Sequence, residues 1–244
     1  MKKLLIAAAI SLLAIPTYAS DLATVASSTY QLYLNNVVVC SGTFVRSDEE
    51  ADWFLTANHC VKKAATSSTG SLKVPNQYTV KNVVLDEDLN PISEEIFYLD
   101  ILQTNTAKDV ALLSVKSPVD AVFTTVDVAT VDEVKANLVI GSELIASGYP
   151  LGDFYSLTNG YYVGPSKVTI PEIQDEVYYK TSISIDGGSS GGGLYEEIDG
   201  TWKLIGAATA RDGRLDFRSM FSTIESVQLL LGPKFDTEDA LYNK

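Results

Sequence analysis

The nine residues Asp186-Gly187-Gly188-Ser189-Ser190-Gly191-Gly192-Gly193-Leu194 set five glycines around two serines. Glycine admits backbone angles that other residues resist, so N–H groups can converge on one point beside a hydroxyl. That is how a serine is presented as a nucleophile. The hydroxyl attacks only when a neighbouring base takes its proton, and a carboxylate must hold that base in the right tautomer. The chain contains one histidine, His59, at the end of the apolar run Trp53-Phe54-Leu55-Thr56-Ala57-Asn58-His59-Cys60. The best carboxylate is Asp109, a lone acid ahead of the apolar Val110-Ala111-Leu112-Leu113.

Chain order separates the scaffolds that could carry such a set. Gly188-Ser189-Ser190-Gly191-Gly192 satisfies the G-x-S-x-G pattern of the α/β-hydrolase elbow, as does Gly187-Gly188-Ser189-Ser190-Gly191, but that fold needs its histidine after the serine. None follows Ser190. A subtilisin-type chain needs its aspartate first; Asp52 could supply one, but the helices of that fold are missing from the pattern. The order His59, Asp109, Ser190 is that of the chymotrypsin-type triad. Taken singly, a histidine is more often a packing residue, a lone acid a turn residue and a Gly/Ser tract a flexible loop. Their combination favours chemistry.

The elements that must carry these residues read as short strands. Tyr30, Leu32 and Leu34 alternate with polar partners, and 37–39 and 43–45 are brief β-branched or aromatic runs. Residues 78–85, 96–102 and 110–115 supply further strands, and 62–77, rich in Ser, Thr and Lys, reads as an exposed loop. These make one small barrel over about 25–117. Residues 118–137 form a crossing segment. A second series follows at 138–147, 161–170, 177–184, 193–197 and 202–210, with Asp199-Gly200 as a hairpin turn. Ser222 with Glu225 makes a capping box before a helix at 227–231, which Gly232-Pro233 stops.

Composition narrows the setting. Met1-Lys2-Lys3, the apolar run 4–15 and the small residues of Pro16-Thr17-Tyr18-Ala19-Ser20 read as a secretory signal peptide cleaved after Ala19. The expected location is secreted or periplasmic, with no stable membrane anchor once the signal is removed. Loss of residues 1–19 takes away two lysines and leaves 16 basic against 31 acidic residues, a formal charge of −15. Such a chain repels phosphate backbones, so nucleic acid is not an expected partner. The two cysteines, Cys40 and Cys60, would meet an oxidising compartment, where a bridge closing a loop of about 20 residues contributes roughly 3 kcal/mol; two buried free thiols are the alternative. One histidine and two cysteines fall short of a tetrahedral zinc set, so no metal and no cofactor is expected.

Thr56-Ala57-Asn58-His59-Cys60, Asp109-Val110-Ala111-Leu112-Leu113 and Gly188-Ser189-Ser190-Gly191-Gly192 together resemble the chymotrypsin-type (trypsin-like) serine proteases over nearly the whole chain. Within them, Ala146-Ser147-Gly148-Tyr149-Pro150-Leu151-Gly152 and Ile205-Gly206-Ala207-Ala208-Thr209-Ala210 look more like the bacterial high-temperature-requirement proteases, without the peptide-binding PDZ module those usually carry. The resemblance implies an all-β fold of two six-stranded antiparallel barrels packed together, with a short C-terminal helix. After the signal, residues 20–117 would carry His59 and Asp109, and 118–244 would carry Ser190. It implies the catalytic set His59, Asp109 and Ser190, with the amides of Gly188 and Ser190 as oxyanion hole. The Cys40–Cys60 pair matches a disulfide common in the family. Ser190 is preferred to Ser189 because two glycines follow it, as in the family pattern. In zymogen-type relatives the residue before the nucleophile is an aspartate that accepts a new N-terminus; here it is Ser189, so that activation is not expected.

The same resemblance puts the base of the specificity pocket at Ser184 and its wall at Thr209, Ala210 and Arg211. With no acid at Ser184, a small or medium aliphatic side chain before the scissile bond is expected, although Arg211, Arg214 and Arg218 could favour an acidic one. Protein or peptide substrates follow. The competing readings are a catalytically inactive relative that binds peptides through the same cleft, and an exported esterase using the same triad.

Overall fold

The computed structural model describes residues 18–48, 51–62, 77–85, 91–116, 122–170, 173–211 and 218–232. Most of the expected signal segment, residues 63–76 of the expected loop over 62–77, and Arg214 lie outside them. The chain enters through a helix, α1 (Tyr18–Ser28), then forms β1 (Thr29–Leu34), β2 (Val37–Ser47) and β3 (Asp52–Thr56). A one-turn helix α2 (Asn58–Lys62) follows, then β4 (Tyr78–Leu85), β5 (Pro91–Asn105) and β6 (Val110–Val115). These six strands close into an antiparallel barrel in the order β1-β2-β3-β6-β5-β4.

After α3 (Val131–Asn137), the second half contains β7 (Glu143–Gly148), β8 (Ser156–Ile170), β9 (Ile173–Thr181), β10 (Gly193–Ile198), β11 (Thr201–Arg211) and β12 (Ser219–Phe221). They close in the order β10-β11-β12-β9-β8-β7, and α4 (Ile224–Leu231) ends the described chain. The fold is the expected pair of six-stranded antiparallel barrels with a short C-terminal helix.

Strand chemistry sets the turns and cores. Asn35 and Asn36 both take positive φ between β1 and β2, and Asp199 and Gly200 do so between β10 and β11, the left-handed pair that a two-residue hairpin requires. The first barrel is filled by an aromatic stack in which Phe44 lies 4.0 Å from Phe123, flanked by Tyr30, Phe54 and Phe97. Phe123 comes from the crossing segment, which is strapped first to β2 through Val126 N–H on Phe44 O and then to β11 through Ala129 N–H on Leu204 O. Between the barrels, the fully buried Tyr195 shares its hydroxyl with Ser147 and Thr43, and Ser147 with Thr29.

Local expectations differ from the structure where a tertiary partner or an unweighed signal decides. The strand expected over 138–147 begins only at Glu143, because a turn holding Ser142 N–H on Val139 O and Gly141 at φ +97° precedes it. The crossing segment contains α3, whose capping box joins Thr130 and Glu133 in both directions. The C-terminal helix is present, but Thr223 is its N-cap and makes no side-chain cap bond. The Ser222 hydroxyl instead accepts from Ala207 N–H of β11, at 3.0 Å.

Candidate active site

His59 stands in the first turn of α2, directly after β3, so the apolar strand that the sequence ends at the imidazole does deliver it there. Asp109 closes the turn between β5 and β6 at φ +50°, a conformation that Asp tolerates better than most side chains. Asp109 is 5 % exposed and its carboxylate is filled from one residue: Oδ1 accepts His59 N–H at 2.9 Å, and Oδ2 pairs with His59 Nδ1 at 2.8 Å. Two-point holding fixes the ring through Nδ1 and leaves Nε2 as the ring nitrogen that Asp109 does not engage.

The second barrel braces this turn. Tyr178 of β9, buried, donates its hydroxyl to Ala107 O at 2.9 Å, and Lys108 pairs with Glu176 of the same strand at 2.8 Å. Burial, with the negative charge of Asp109 and Glu176 close by, pushes the Tyr178 phenol well above its ordinary range, so it stays a donor.

The 186–193 loop docks against the first barrel. Ser41 N–H of β2 bonds Ser190 O at 2.8 Å, and Cys60 Sγ lies 3.8 Å from the same carbonyl oxygen. The Cys40–Cys60 disulfide is formed, with Cα atoms 6.1 Å apart, and links the strand beside Ser41 to the helix that carries His59. His59 Nδ1 or Nε2 and the two sulfurs cluster together, but bridged sulfurs carry no thiolate, so the cluster lacks metal-binding chemistry. Gly191 has φ +83°, and a Cβ there would strike Thr56 Oγ1 and Ser41 O. Gly188 has φ +96° with Tyr149 O against the place of its missing Cβ.

Within the loop the amides divide. Ser189 N–H bonds Asp186 O, Gly191 N–H bonds Ala208 O, and Gly192 N–H bonds Ser189 O. Among the described residues, the amides of Gly188 and Ser190 donate to no protein acceptor, and no hydrogen bond joins His59 to the Ser190 hydroxyl. Ser189 is 5 % exposed and turns toward β7, whereas Ser190 is half-buried.

Beside Ser189 is a cavity of about 160 Å³, lined by Ser147, Ser156, Thr158, Ser184, Asp186 and Ser189 among others. Of the four residues expected at a specificity pocket it takes in only Ser184. Thr209 and Ala210 lie on β11, where Ala210 pairs with Met220; the Arg211 backbone pairs with Ser219, and its side chain lies outside the described residues. Arg218 is exposed. Neither Ser41 nor Tyr178 stands out in the sequence, and the 149–152 turn stands out only as part of the motif that carries the resemblance. Ser41 is marked in the sequence only as the neighbour of Cys40; the partners of Tyr178 are distant in the chain and leave no local signal.

Solved structures share this fold. Deg5 is 19 % identical with a TM-score of 0.61, covering 86 % of this chain and 90 % of its own. The inactive form of Rv3671c from M. tuberculosis H37Rv is 16 % identical with a TM-score of 0.59, covering 91 % and 95 %. The HtrA-type protease AlgW with tripeptide is 18 % identical with a TM-score of 0.63, covering 88 % of this chain but only 63 % of its own. At such identities the likeness is one of fold. No curated protein matches the chain. The family described as the trypsin-like peptidase domain matches residues 40–206, well over half the sequence and spanning all three motifs; the chain belongs to that family and is a serine protease.

Proposed function

We propose that the chain is an exported endopeptidase in which Ser190 Oγ attacks a peptide carbonyl while His59 Nε2 takes the hydroxyl proton. The C–N bond breaks as His59 returns that proton to the leaving amine, and water then hydrolyses the acyl-serine by the same route. Asp109 holds the imidazole and stabilises its charged form. The amides of Gly188 and Ser190 receive the oxyanion. The observation that carries the reading is the combination of a carboxylate spent wholly on His59 with two unengaged amides flanking a half-buried serine. Ser189, buried against β7, is the poorer nucleophile.

Residues 1–19 are read as the export signal, giving a secreted or periplasmic protein, and the Cys40–Cys60 disulfide fits an oxidising compartment. The barrel that brings His59 and Asp109 is taken as 20–117 and the one that brings Ser190 as 118–244. With a serine at 184 rather than an acid, small or medium aliphatic side chains are the proposed preference before the scissile bond.

The test is a fluorophosphonate probe on residues 20–244 with the disulfide formed, the adduct located by peptide mass mapping and Ser190→Ala as control. Labelling on Ser190 that vanishes in the variant is expected. Labelling on Ser189 would overturn the choice of nucleophile. No labelling of folded protein would leave the peptide-binding reading.

A further inference from the structure

Ser41 is fully buried and all of its polar atoms are engaged, mostly by the nucleophile loop. Its N–H donates to Ser190 O at 2.8 Å, and its Oγ donates to Gly188 O at 2.8 Å. The same Oγ accepts Tyr149 N–H at 2.8 Å, and its carbonyl accepts from Thr56 Oγ1 at 2.7 Å. Ser41 therefore fastens the loop to the Tyr149 turn as well as to the first barrel.

The consequence follows from peptide planarity. In a trans peptide the C=O of one residue and the N–H of the next point in opposite directions. Gly187 O is held by Leu151 N–H, two residues beyond Tyr149, so the Gly188 N–H points away from that turn. Ser189 O is held by Gly192 N–H, which turns the Ser190 N–H the other way from Gly192. Between these two planes lies the Gly188–Ser189 peptide, whose carbonyl is the one Ser41 Oγ holds. Glycines at 187 and 188 make rotation of these planes easy, so the orientation of both free amides depends on what grips the carbonyls. Four carbonyls in succession, 187 to 190, are gripped, two of them by Ser41.

We propose that Ser41 is a positioning residue for catalysis, whose hydroxyl and amide hold the Gly188 and Ser190 carbonyls so that the amides of Gly188 and Ser190 face the oxyanion together. The inference rests on the reading of those two amides as the oxyanion donors.

The experiment measures hydrolysis of p-nitrophenyl acetate, an ester that makes no demand on a side-chain pocket, by the full chain with its disulfide formed, with Ser190→Ala giving the background. Rates are taken per mole of folded protein across pH 5–9. Removing one oxyanion donor outright lowers turnover about 100- to 1000-fold. Ser41→Ala keeps the amide on Ser190 O and removes only the hydroxyl's grip on Gly188 O, giving an expected fall in kcat of about 10- to 100-fold, with KM nearly unchanged and the pH midpoint of kcat/KM unmoved, because His59 and Asp109 are untouched. Should Ser41→Ala fail to fold, Ser41→Thr and Ser41→Val, alike in shape and differing in the hydroxyl, make the same comparison; the threonine variant is expected to be about tenfold or more the faster. A folded Ser41→Ala at the wild-type rate, equal Thr and Val variants, or a rate loss that travels with a shifted pH midpoint would each overturn the inference alone. A wild type no faster than Ser190→Ala would overturn the functional reading and this inference with it.

Discussion

Glu196 lies on β10 opposite Leu144 and Lys203, is 4 % exposed, and leaves Oε2 without a hydrogen-bond partner. The lysine across from it does not neutralise it, because Lys203 Nζ is committed to Glu133. Burial therefore pushes the Glu196 carboxyl up to about 7 from 4.5, against a small opposing effect of its hydrogen bond with Ser142. Above pH 4.5 the unfolded chain releases this proton while the folded one keeps it, so the folded state binds more protons and stability falls as pH rises. The loss runs from about pH 4.5 to about pH 7 and persists above it. At 1.36 kcal/mol per pKa unit, a rise of this size corresponds to about 3 kcal/mol.

Glu196→Gln replaces the acid with a neutral group of the same shape and mimics the protonated form at every pH. The difference in stability between variant and wild type, in which all other titrating groups cancel, is expected to be small near pH 4 and to grow to about 3 kcal/mol in favour of the variant by pH 8. For a chain of this size that is a rise in melting temperature of roughly 6–12 °C. The assay is denaturant unfolding of both proteins across pH 4–8.5 with the disulfide intact. A variant-minus-wild-type difference that stays flat with pH would refute the assignment of Glu196 as a neutral buried acid.

Three further outcomes are expected. Gly191→Ala must fit a Cβ against Thr56 Oγ1 and Ser41 O at φ +83°, and should destabilise by about 2 kcal/mol or more, read by thermal unfolding. Tyr178→Phe removes the donor to Ala107 O and leaves that carbonyl unpaired; about 1–2 kcal/mol of stability should go, with a lower kcat at unchanged KM because the Asp109 turn loosens. Replacing Cys40 and Cys60 together by alanine should cost about 3 kcal/mol, and reductant should destabilise the wild type but not the double variant.

The parts of the molecule legible in sequence are those whose cause is local. The strand at 78–85 agrees with β4 and the one at 110–115 with β6, because alternation or an apolar run ended by turn residues marks a strand without reference to its partner. Asp199-Gly200 forms the hairpin it signals for the same reason. Thr130-Val131-Asp132-Glu133 is as legible a helix start as Ser222 to Glu225, yet the first is the capping box that forms, while the serine of the second serves β11. Local pattern alone cannot rank those two, since Ser222 Oγ meets Ala207 only after β11 and α4 have packed.

The site divides along the same line. His59 and Asp109 are marked by the apolar strands that flank them, and their mutual hydrogen bonds follow from β3 pairing with β6, where Thr56 lies opposite Ala111. What holds the other half is not local. The loop of Ser190 is gripped from β2 by Ser41, and the turn of Asp109 is gripped from β9 by Tyr178 and by Glu176 through Lys108. Each barrel thus supplies one part of the proposed reacting set and braces the part supplied by the other. Neither half of the site is complete until the interface between barrels has formed, so polar interface residues far apart in sequence carry positional demands as strict as those on the three motif residues, and a search by motif passes over them.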